Sequence, residues 1–175
     1  MGIGYMSLPR EYSKQLMKDL EPVRQRMMYD FEYREPEDNV LLSGNFDSLT
    51  FHCNLTLDQL LITNSKYIEV NGNMSNKSLN RFLKIWISGG YRRLKYVEMT
   101  DPIELFPLNL EEVMKGIHYI PMPPDKIRRF PINEDYPLQY DRVSNGLDIQ
   151  GKDGIKATVR FRMGRFNTLS VFVWP

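Results

Sequence analysis

Histidines, cysteines and paired carboxylates are the usual parts of a catalytic or metal site, and this chain has few of them. Its two histidines, His52 and His118, lie far apart without metal-ligand spacing, so no zinc site is predicted. Cys53 lies in an apolar run and is expected to be a packed side chain. The pairs Glu111-Glu112 and Glu134-Asp135 fall at a predicted helix start and in a loop, where acid–base catalysis is not expected. We therefore predict no enzyme activity, no metal and no cofactor.

Two short segments that resemble each other point to a different chemistry, recognition by aromatic and acidic side chains. Tyr67-Ile68-Glu69-Val70 matches Tyr96-Val97-Glu98-Met99 at an offset of 29 residues. Alternate side chains of a strand point to opposite faces, so the tyrosine and glutamate of both segments are expected to share one open face. Aromatic anchors beside charges are typical of binding hot spots. The predicted partner-binding residues are Tyr67, Glu69, Tyr96 and Glu98.

The elements that must position these residues are predicted to be two strands joined by a helix. Ser65–Val70 and Leu94–Met99 have strand patterns, and Ser75 is a predicted N-cap of a helix that ends near Ser88. A strand, helix and strand of this length close as a right-handed parallel crossover, and the repeat length is on the scale of leucine-rich repeats. The predicted fold class is α/β, with leucine-rich-repeat-like strand–helix–strand units and a small parallel sheet. The apolar stripe of the helix is Leu79, Phe82, Leu83, Trp86 and Ile87.

The N-terminal part of the chain is predicted to be a helical extension of the main domain. Apolar residues recur at near-helical spacing over Glu11–Phe31, and Pro22 is expected to bend or break the helix. A charged, proline-containing segment follows and is typical of a linker. We therefore expect residues 1–39 to form the extension and residues 40–175 to form the domain.

The C-terminal part of the chain is predicted to be irregular at first and then to form a β-hairpin. Five prolines between residues 117 and 140 disfavour regular structure in that stretch. Leu147–Gln150 and Ile155–Arg162 flank an Asp-Gly turn, which predicts a C-terminal antiparallel hairpin. A last strand is expected at Thr168–Trp174.

One strand of this hairpin combines basic residues with nearby phenylalanines, as nucleic-acid surfaces do. The net charge of only +1 supplies no overall attraction to nucleic acid or to an anionic membrane. The alternating spacing of the basic residues is also typical of a solvent-exposed strand face, which is the favoured interpretation. The basic residues concerned are Lys156, Arg160, Arg162 and Arg165.

The compartment is predicted from what the sequence lacks. No apolar run approaches the length of a membrane span, and the N-terminus has no signal-peptide pattern. A single cysteine cannot form an internal disulfide, as a secreted framework would require. We expect an intracellular protein, cytoplasmic and/or nuclear, that does not contact the membrane.

A string of eleven residues from Leu79 to Gly89, LNRFLKIWISG, carries a resemblance to a known family. With Leu60-Leu61, Asn64-Ser65, Ile68-Glu69 and Leu94, it makes residues 57–99 resemble the type 2 F-box-associated domain, which is greatly expanded in nematodes. The resemblance extends to segments that follow this domain in such proteins. These segments are Leu108–Ile117 and Gly146–Phe161.

The resemblance implies a protein-binding role. In this family an N-terminal F-box docks on the Skp1-type adaptor of a cullin–RING ubiquitin ligase, and the associated domain is expected to recruit the protein to be ubiquitinated. Ser7-Leu8-Pro9 is a weak match to an F-box start, but Glu11–Tyr33 lacks the expected leucines. We therefore expect the F-box to be missing or degenerate, and adaptor binding only if an F-box is present.

The favoured function is a substrate-recruiting module of such a ligase, and the protein that it binds is unknown. Two alternatives stay open. One is a stand-alone binding module that does not join a ligase. The other is a nucleic-acid binder that uses the C-terminal basic strand, although the near-neutral charge disfavours it.

Overall fold

The chain has a mixed α/β architecture in which strands dominate. The computed structural model describes residues 27–29, 46–52, 54–101, 108–131 and 140–175. The first strands are β1 (Met27–Tyr29), β2 (Ser48–Phe51), β3 (Tyr67–Asn71), β4 (Tyr96–Asp101) and β5 (Ile120–Pro121). The later strands are β6 (Arg128–Pro131), β7 (Tyr140–Val143), β8 (Leu147–Gln150), β9 (Lys156–Arg162) and β10 (Asn167–Trp174). The helices are α1 (Leu57–Ile62), α2 (Asn76–Ile87) and α3 (Leu110–Val113).

Most of these strands belong to one mixed sheet. Within the described part of the chain, eight strands form a sheet in the order β1-β2-β3-β4-β10-β9-β8-β5, and β6 pairs with β7 as a two-stranded ribbon. The strands β1 to β4 run parallel to one another. β10 returns antiparallel along β4, and β9, β8 and β5 continue the antiparallel half. The predicted parallel sheet and C-terminal hairpin are therefore two halves of one sheet, joined by β10.

The predicted strand–helix–strand unit lies at the centre of the parallel half. β3 and β4 are parallel neighbours, with Tyr67 opposite Tyr96, and α2 connects them. α2 begins after Ser75, whose hydroxyl accepts a hydrogen bond from the backbone amide of Ser78 at 3.2 Å and so satisfies a donor that has no partner within the helix. The leucine-rich-repeat likeness of this unit stays a prediction.

The face of the sheet under the helices carries the main hydrophobic core. Phe82 and Leu83 of α2 are fully buried there, together with Ile68 of β3 and Val97 of β4, as the strand alternation predicts. Val171 of β10 brings the antiparallel half into the same core. Burial of each such side chain contributes about 1.5–3 kcal/mol, so this face is the main source of stability.

Two sequence predictions about these elements are wrong. Met27–Tyr29 is a strand rather than the end of a helix, because the edge of β2 offers backbone partners that override local helical spacing. Arg128–Pro131 is a strand in a stretch predicted to be irregular, and Pro131 is tolerated because each strand of a two-stranded ribbon is an edge strand. The rest of the predicted N-terminal extension lies outside the described residues, as do Cys53 and the weak F-box match.

The C-terminal hairpin has the predicted boundaries to within one residue. Leu147 lies opposite Val159, and β8 and β9 are connected by a turn in which Gly154 has a positive φ of 85°. A side chain at that backbone conformation would be strained, which explains the glycine.

No helix in the described ranges is long and apolar enough to cross a membrane.

Candidate protein-binding face

The face of the sheet opposite the helices carries the four predicted partner-binding residues. Their side chains form two rows that run across the strands, because the register places Phe172 of β10 opposite Tyr96 and Ser170 opposite Glu98. We call these the aromatic row and the polar row. The aromatic row consists of Tyr67, Tyr96 and Phe172, and the polar row consists of Thr50, Glu69, Glu98, Ser170 and Arg160.

The aromatic row is covered, so the expectation of an open face is wrong at the two tyrosines. Tyr67 and Tyr96 each expose only 8% of their surface. The β6–β7 ribbon lies over the row, and the ring of Phe130 is centred 5.9 Å from that of Tyr96 and 5.2 Å from that of Phe172. Val143 of the ribbon belongs to the same cluster. A sheet with large apolar side chains on both faces must bury both, and the ribbon supplies the second layer.

The polar row holds two carboxylates in defined positions. The hydroxyls of Tyr96 and Ser170 both donate to Oε2 of Glu98, at 2.7 Å and 2.8 Å. The hydroxyl of Thr50 donates to Oε2 of Glu69 at 3.4 Å. Glu69 and Glu98 lie directly opposite each other on neighbouring strands and are half-buried. Oriented carboxylates of this kind can accept hydrogen bonds from the cationic side chain of another protein.

Tyr96 acts as a neutral hydrogen-bond donor in this arrangement. Burial raises the pKa of its hydroxyl far above the ordinary value. The negative charge of Glu98 and the hydrogen bond to it raise the pKa further, as do the charges of Glu69 and Asp141. The proton therefore stays on Tyr96 at any physiological pH, and the hydroxyl positions Glu98 instead of taking part in acid–base chemistry.

An ion pair fastens one strand of the ribbon to the sheet. Arg128 donates from both terminal nitrogens to the two carboxylate oxygens of Asp148, each at 2.6 Å, and also to Thr158 at 2.9 Å. Burial by itself raises the pKa of Asp148, but hydrogen bonds from Arg128 and Thr158 and the charges of Arg128 and Lys126 outweigh it. The pKa of Asp148 is therefore below its usual value, and the carboxylate is ionised at neutral pH.

A second ion pair fastens the other strand. Arg160 of β9 is almost fully buried and contacts Asp141 of β7 at 2.5 Å. It also donates to the backbone carbonyl of Arg142 at 3.2 Å, and its guanidinium lies 4.6 Å from the ring centre of Phe172. Arg162 adds a longer contact to Asp141 at 3.1 Å. The ribbon is thus held by apolar contact in the middle and by charge at both strands.

Comparison with known proteins identifies the segment that carries this face. Residues 39–99 match the F-box associated family. This stretch of the chain is therefore similar to F-box associated domains. A relative from Caenorhabditis elegans, F-box associated domain-containing protein sdz-33, is 31% identical over 90 residues. That alignment covers 50% of this chain but only 30% of the relative, and no solved structure is significantly similar to the chain.

The F-box associated match contains all four predicted partner-binding residues and ends before the ribbon. Partner binding by Tyr67, Glu69, Tyr96 and Glu98 stays a prediction, since no partner is present. The residues that fasten the ribbon were not predicted from the sequence. Arg128 and Asp148 are 20 residues apart, and Arg160 and Asp141 are 19 apart, so no local pattern indicates these pairs.

The basic strand is solvent-exposed at its ends, at Lys156 and Arg162, but not in its middle, where its spacing also predicts exposure. Thr158 and Arg160 are buried beneath the ribbon, at 0% and 4% exposure, because β9 lies inside the sheet rather than at its edge. Arg160 is therefore unavailable to a nucleic acid, while Lys156, Arg162 and Arg165 are exposed. In the described ranges, no group of three or more His, Cys, Asp or Glu side chains could hold a metal ion.

Proposed function

We propose that this chain is a protein-binding module that recruits a target to an F-box-type, cullin–RING ubiquitin ligase. The observation that supports the proposal is the F-box associated match over residues 39–99, which contains β2, β3 and most of β4 and so includes Tyr67, Glu69, Tyr96 and Glu98. The module acts by binding and has no catalytic step of its own. Both the target and the ligase are part of the proposal, since the matched relative's name states only its F-box associated domain.

The four predicted residues have two different roles in binding. Glu69 and Glu98 are half-buried and contact the partner, whereas Tyr67 and Tyr96 are buried and support them from within the sheet. The hydroxyl of Tyr96 holds the carboxylate of Glu98, so little side-chain entropy is lost when a partner binds. The carboxylates select a partner that presents lysine or arginine to this face.

The ligase role is tested by affinity purification of the tagged chain from nematode cells, with quantitative mass spectrometry. Recovery of a Skp1-type adaptor, a cullin and a further protein supports recruitment to a ligase. A partner recovered without the adaptor indicates a stand-alone binding module. If no protein is enriched over a tag-only control, the chain is not a binding module under these conditions and the proposal is wrong.

A truncated chain shows whether an N-terminal F-box is responsible. Removal of residues 1–26 deletes the weak F-box match at Ser7-Leu8-Pro9 and retains strand β1, which pairs with β2. The adaptor should be lost and the target retained if the two functions belong to separate parts of the chain. Loss of both proteins with an unchanged melting temperature contradicts that division.

The binding face is tested by charge-neutral substitutions that keep the shape of the side chains. Glu69→Gln combined with Glu98→Gln should weaken partner recovery by about tenfold, because two charge-assisted hydrogen bonds become neutral ones. Glu111→Gln combined with Asp125→Asn is the matched control, since both residues are exposed on other elements. Equal recovery by the two double variants would exclude this face as the contact surface.

A further inference from the structure

The structure points to a second interaction surface, on the side of the ribbon that faces away from the sheet. We propose that Arg129, Arg142 and Tyr140 bind an acidic peptide segment of a partner protein, one with neighbouring aspartate or glutamate residues. This surface, which we call the arginine patch, is separate from the polar row. Its binding does not depend on the proposed ligase role.

The strand register creates the patch. Arg129 of β6 lies directly opposite Arg142 of β7, and Pro131 lies opposite Tyr140. The residues between them point inward, where Phe130 packs on the aromatic row. Both arginines and Pro131 are therefore exposed, and Tyr140 exposes 42% of its surface. The guanidinium of Arg129 lies 4.8 Å from the centre of the Tyr140 ring, a cation–π contact that favours this position of the side chain.

The charge of the patch is not balanced within the described part of the chain. Ion pairs of the ribbon go to its inward side, where Asp148 contacts Arg128 and Asp141 contacts Arg160. The side chains of Arg129 and Arg142 form no ion pair or hydrogen bond with any described residue. Like charges directly opposite on paired strands repel each other. A carboxylate that bridges the two guanidiniums removes this repulsion and gains charge-assisted hydrogen bonds.

The chemistry of the patch fits a peptide better than a nucleic acid. A nucleic acid needs several successive phosphate contacts, whereas the patch has two arginines and the net charge of the chain is +1. The planar guanidinium group matches a carboxylate with two parallel hydrogen bonds. Tyr140 and Pro131 lie beside the arginines and offer apolar contact to the backbone of a peptide. The other arginines near the ribbon are already paired with Asp141 or Asp148.

The test uses the purified full chain and a fluorescein-labelled polyglutamate peptide, followed by fluorescence anisotropy. The Arg142→Glu variant should bind this peptide about tenfold more weakly, because one guanidinium is lost and a repelling charge is gained. Its melting temperature should rise, since the new carboxylate lies opposite Arg129. The Arg142→Lys variant should bind the peptide with an affinity between those of the unaltered chain and Arg142→Glu, because lysine keeps the charge but not the paired hydrogen bonds.

The matched control is Arg165→Glu, which makes the same change of charge at an exposed arginine that also lies near an aromatic ring, 5.6 Å from the centre of Phe166. Unchanged binding by this variant supports the patch. Equal weakening by Arg165→Glu and Arg142→Glu would mean that only net charge matters and would overturn the proposal.

Two further results would also overturn the proposal. One is no binding of polyglutamate by the unaltered chain. The other is tighter binding of a thymidine oligonucleotide of equal charge, with a steep dependence on salt, which would indicate a nucleic-acid site. Failure to recover a ligase adaptor in the purification experiment leaves this inference intact, because the measurement uses only the purified chain and the peptide.

Discussion

Both faces of the sheet carry buried apolar side chains, but different chemistry holds their covers in place. On the helix face, Ile68 and Val97 pack under Phe82 and Leu83 of α2 in a core of apolar side chains. On the opposite face, the aromatic row is covered by a short ribbon that ion pairs fasten in place. Apolar burial does not depend on pH, whereas ion pairs do. The ribbon face is therefore expected to be the more easily loosened half of the molecule.

The two tryptophans allow the two faces to be followed separately. Trp86 is buried in the helix-face core, and Trp174 lies against Phe130 of the ribbon with ring centres 5.4 Å apart. Variants that keep only one of them, by Trp86→Phe or Trp174→Phe, report on one face each. Their fluorescence signals distinguish unfolding of the ribbon face from unfolding of the helix face.

The largest effect is expected on the helix face. Phe82→Ala should lower the free energy of unfolding by about 3–5 kcal/mol, because it leaves a cavity in a fully packed core. Chemical denaturation followed by circular dichroism measures this change. The exposed Phe166 provides the control, since Phe166→Ala should have little effect on stability. Similar losses for both variants would contradict the assignment of Phe82 to the core.

A smaller effect is expected from the equivalent change on the ribbon. Phe130→Ala should lower the free energy of unfolding by about 2–3 kcal/mol, because the ribbon can move partly into the space that the ring leaves. The signal of Trp174 should change at lower denaturant concentration than that of Trp86. A single transition with both signals would show that the two faces unfold together and would remove the difference between them.

Loss of one ion pair of the ribbon should lower the free energy of unfolding by less than either of these two substitutions. Asp148→Asn leaves the half-buried Arg128 without its charged partner and should cost about 1–2 kcal/mol at neutral pH. Asp125→Asn, at an exposed aspartate, is the control for the loss of a charge. If both variants are equally stable, the ion pair does not fasten the ribbon.

The same ion pair predicts the dependence of stability on pH. The pKa of Asp148 is below its usual value in the folded protein, so its stabilising effect is present above the unfolded-state pKa and is lost as the pH falls through the folded-state value. The difference in stability between the unaltered chain and Asp148→Asn should therefore shrink below about pH 4. A difference that stays constant down to about pH 2 would contradict this assignment.

The smallest effect is expected from removal of one hydroxyl. Tyr96→Phe keeps the ring beneath the ribbon and removes the hydrogen bond to Glu98, which should cost about 1 kcal/mol. Tyr119→Phe is the control, because Tyr119 is exposed at 38%. Equal stability of the two variants would mean that the hydroxyl of Tyr96 does not hold Glu98.

The parts of the fold that could be predicted from the sequence depend on neighbours along the chain. Ser75 as an N-cap and the apolar stripe of α2 are local signals, and both are present in the structure. The matching segments at Tyr67 and Tyr96 predicted two parallel strands with one shared face, and the register confirms it. The helix predicted to reach Phe31 was wrong at Met27–Tyr29, because a strand partner outweighs local spacing.

The sequence predicted which residues of the candidate site share one face of the sheet, but not which of them are buried. Alternation along β3 and β4 places Tyr67 and Tyr96 on one face, yet it gives no information about what covers that face. The cover comes from Phe130, in a proline-rich stretch whose local pattern predicts irregular structure. Arg160 illustrates the same limit, since its spacing predicts solvent exposure and the ribbon buries it.

The sequence by itself determined α2, the strands β3 and β4 with their shared face, the C-terminal hairpin and the resemblance that the family match confirms, because caps, periodicity and motifs act over a few residues. Only the tertiary structure decided how the two halves join, which face is covered and which charges remain unbalanced. β10 lies beside β4, with Ser170 bonded to Glu98 from 72 residues away. Contacts at that separation are set by the packing of whole layers, and no local pattern encodes them.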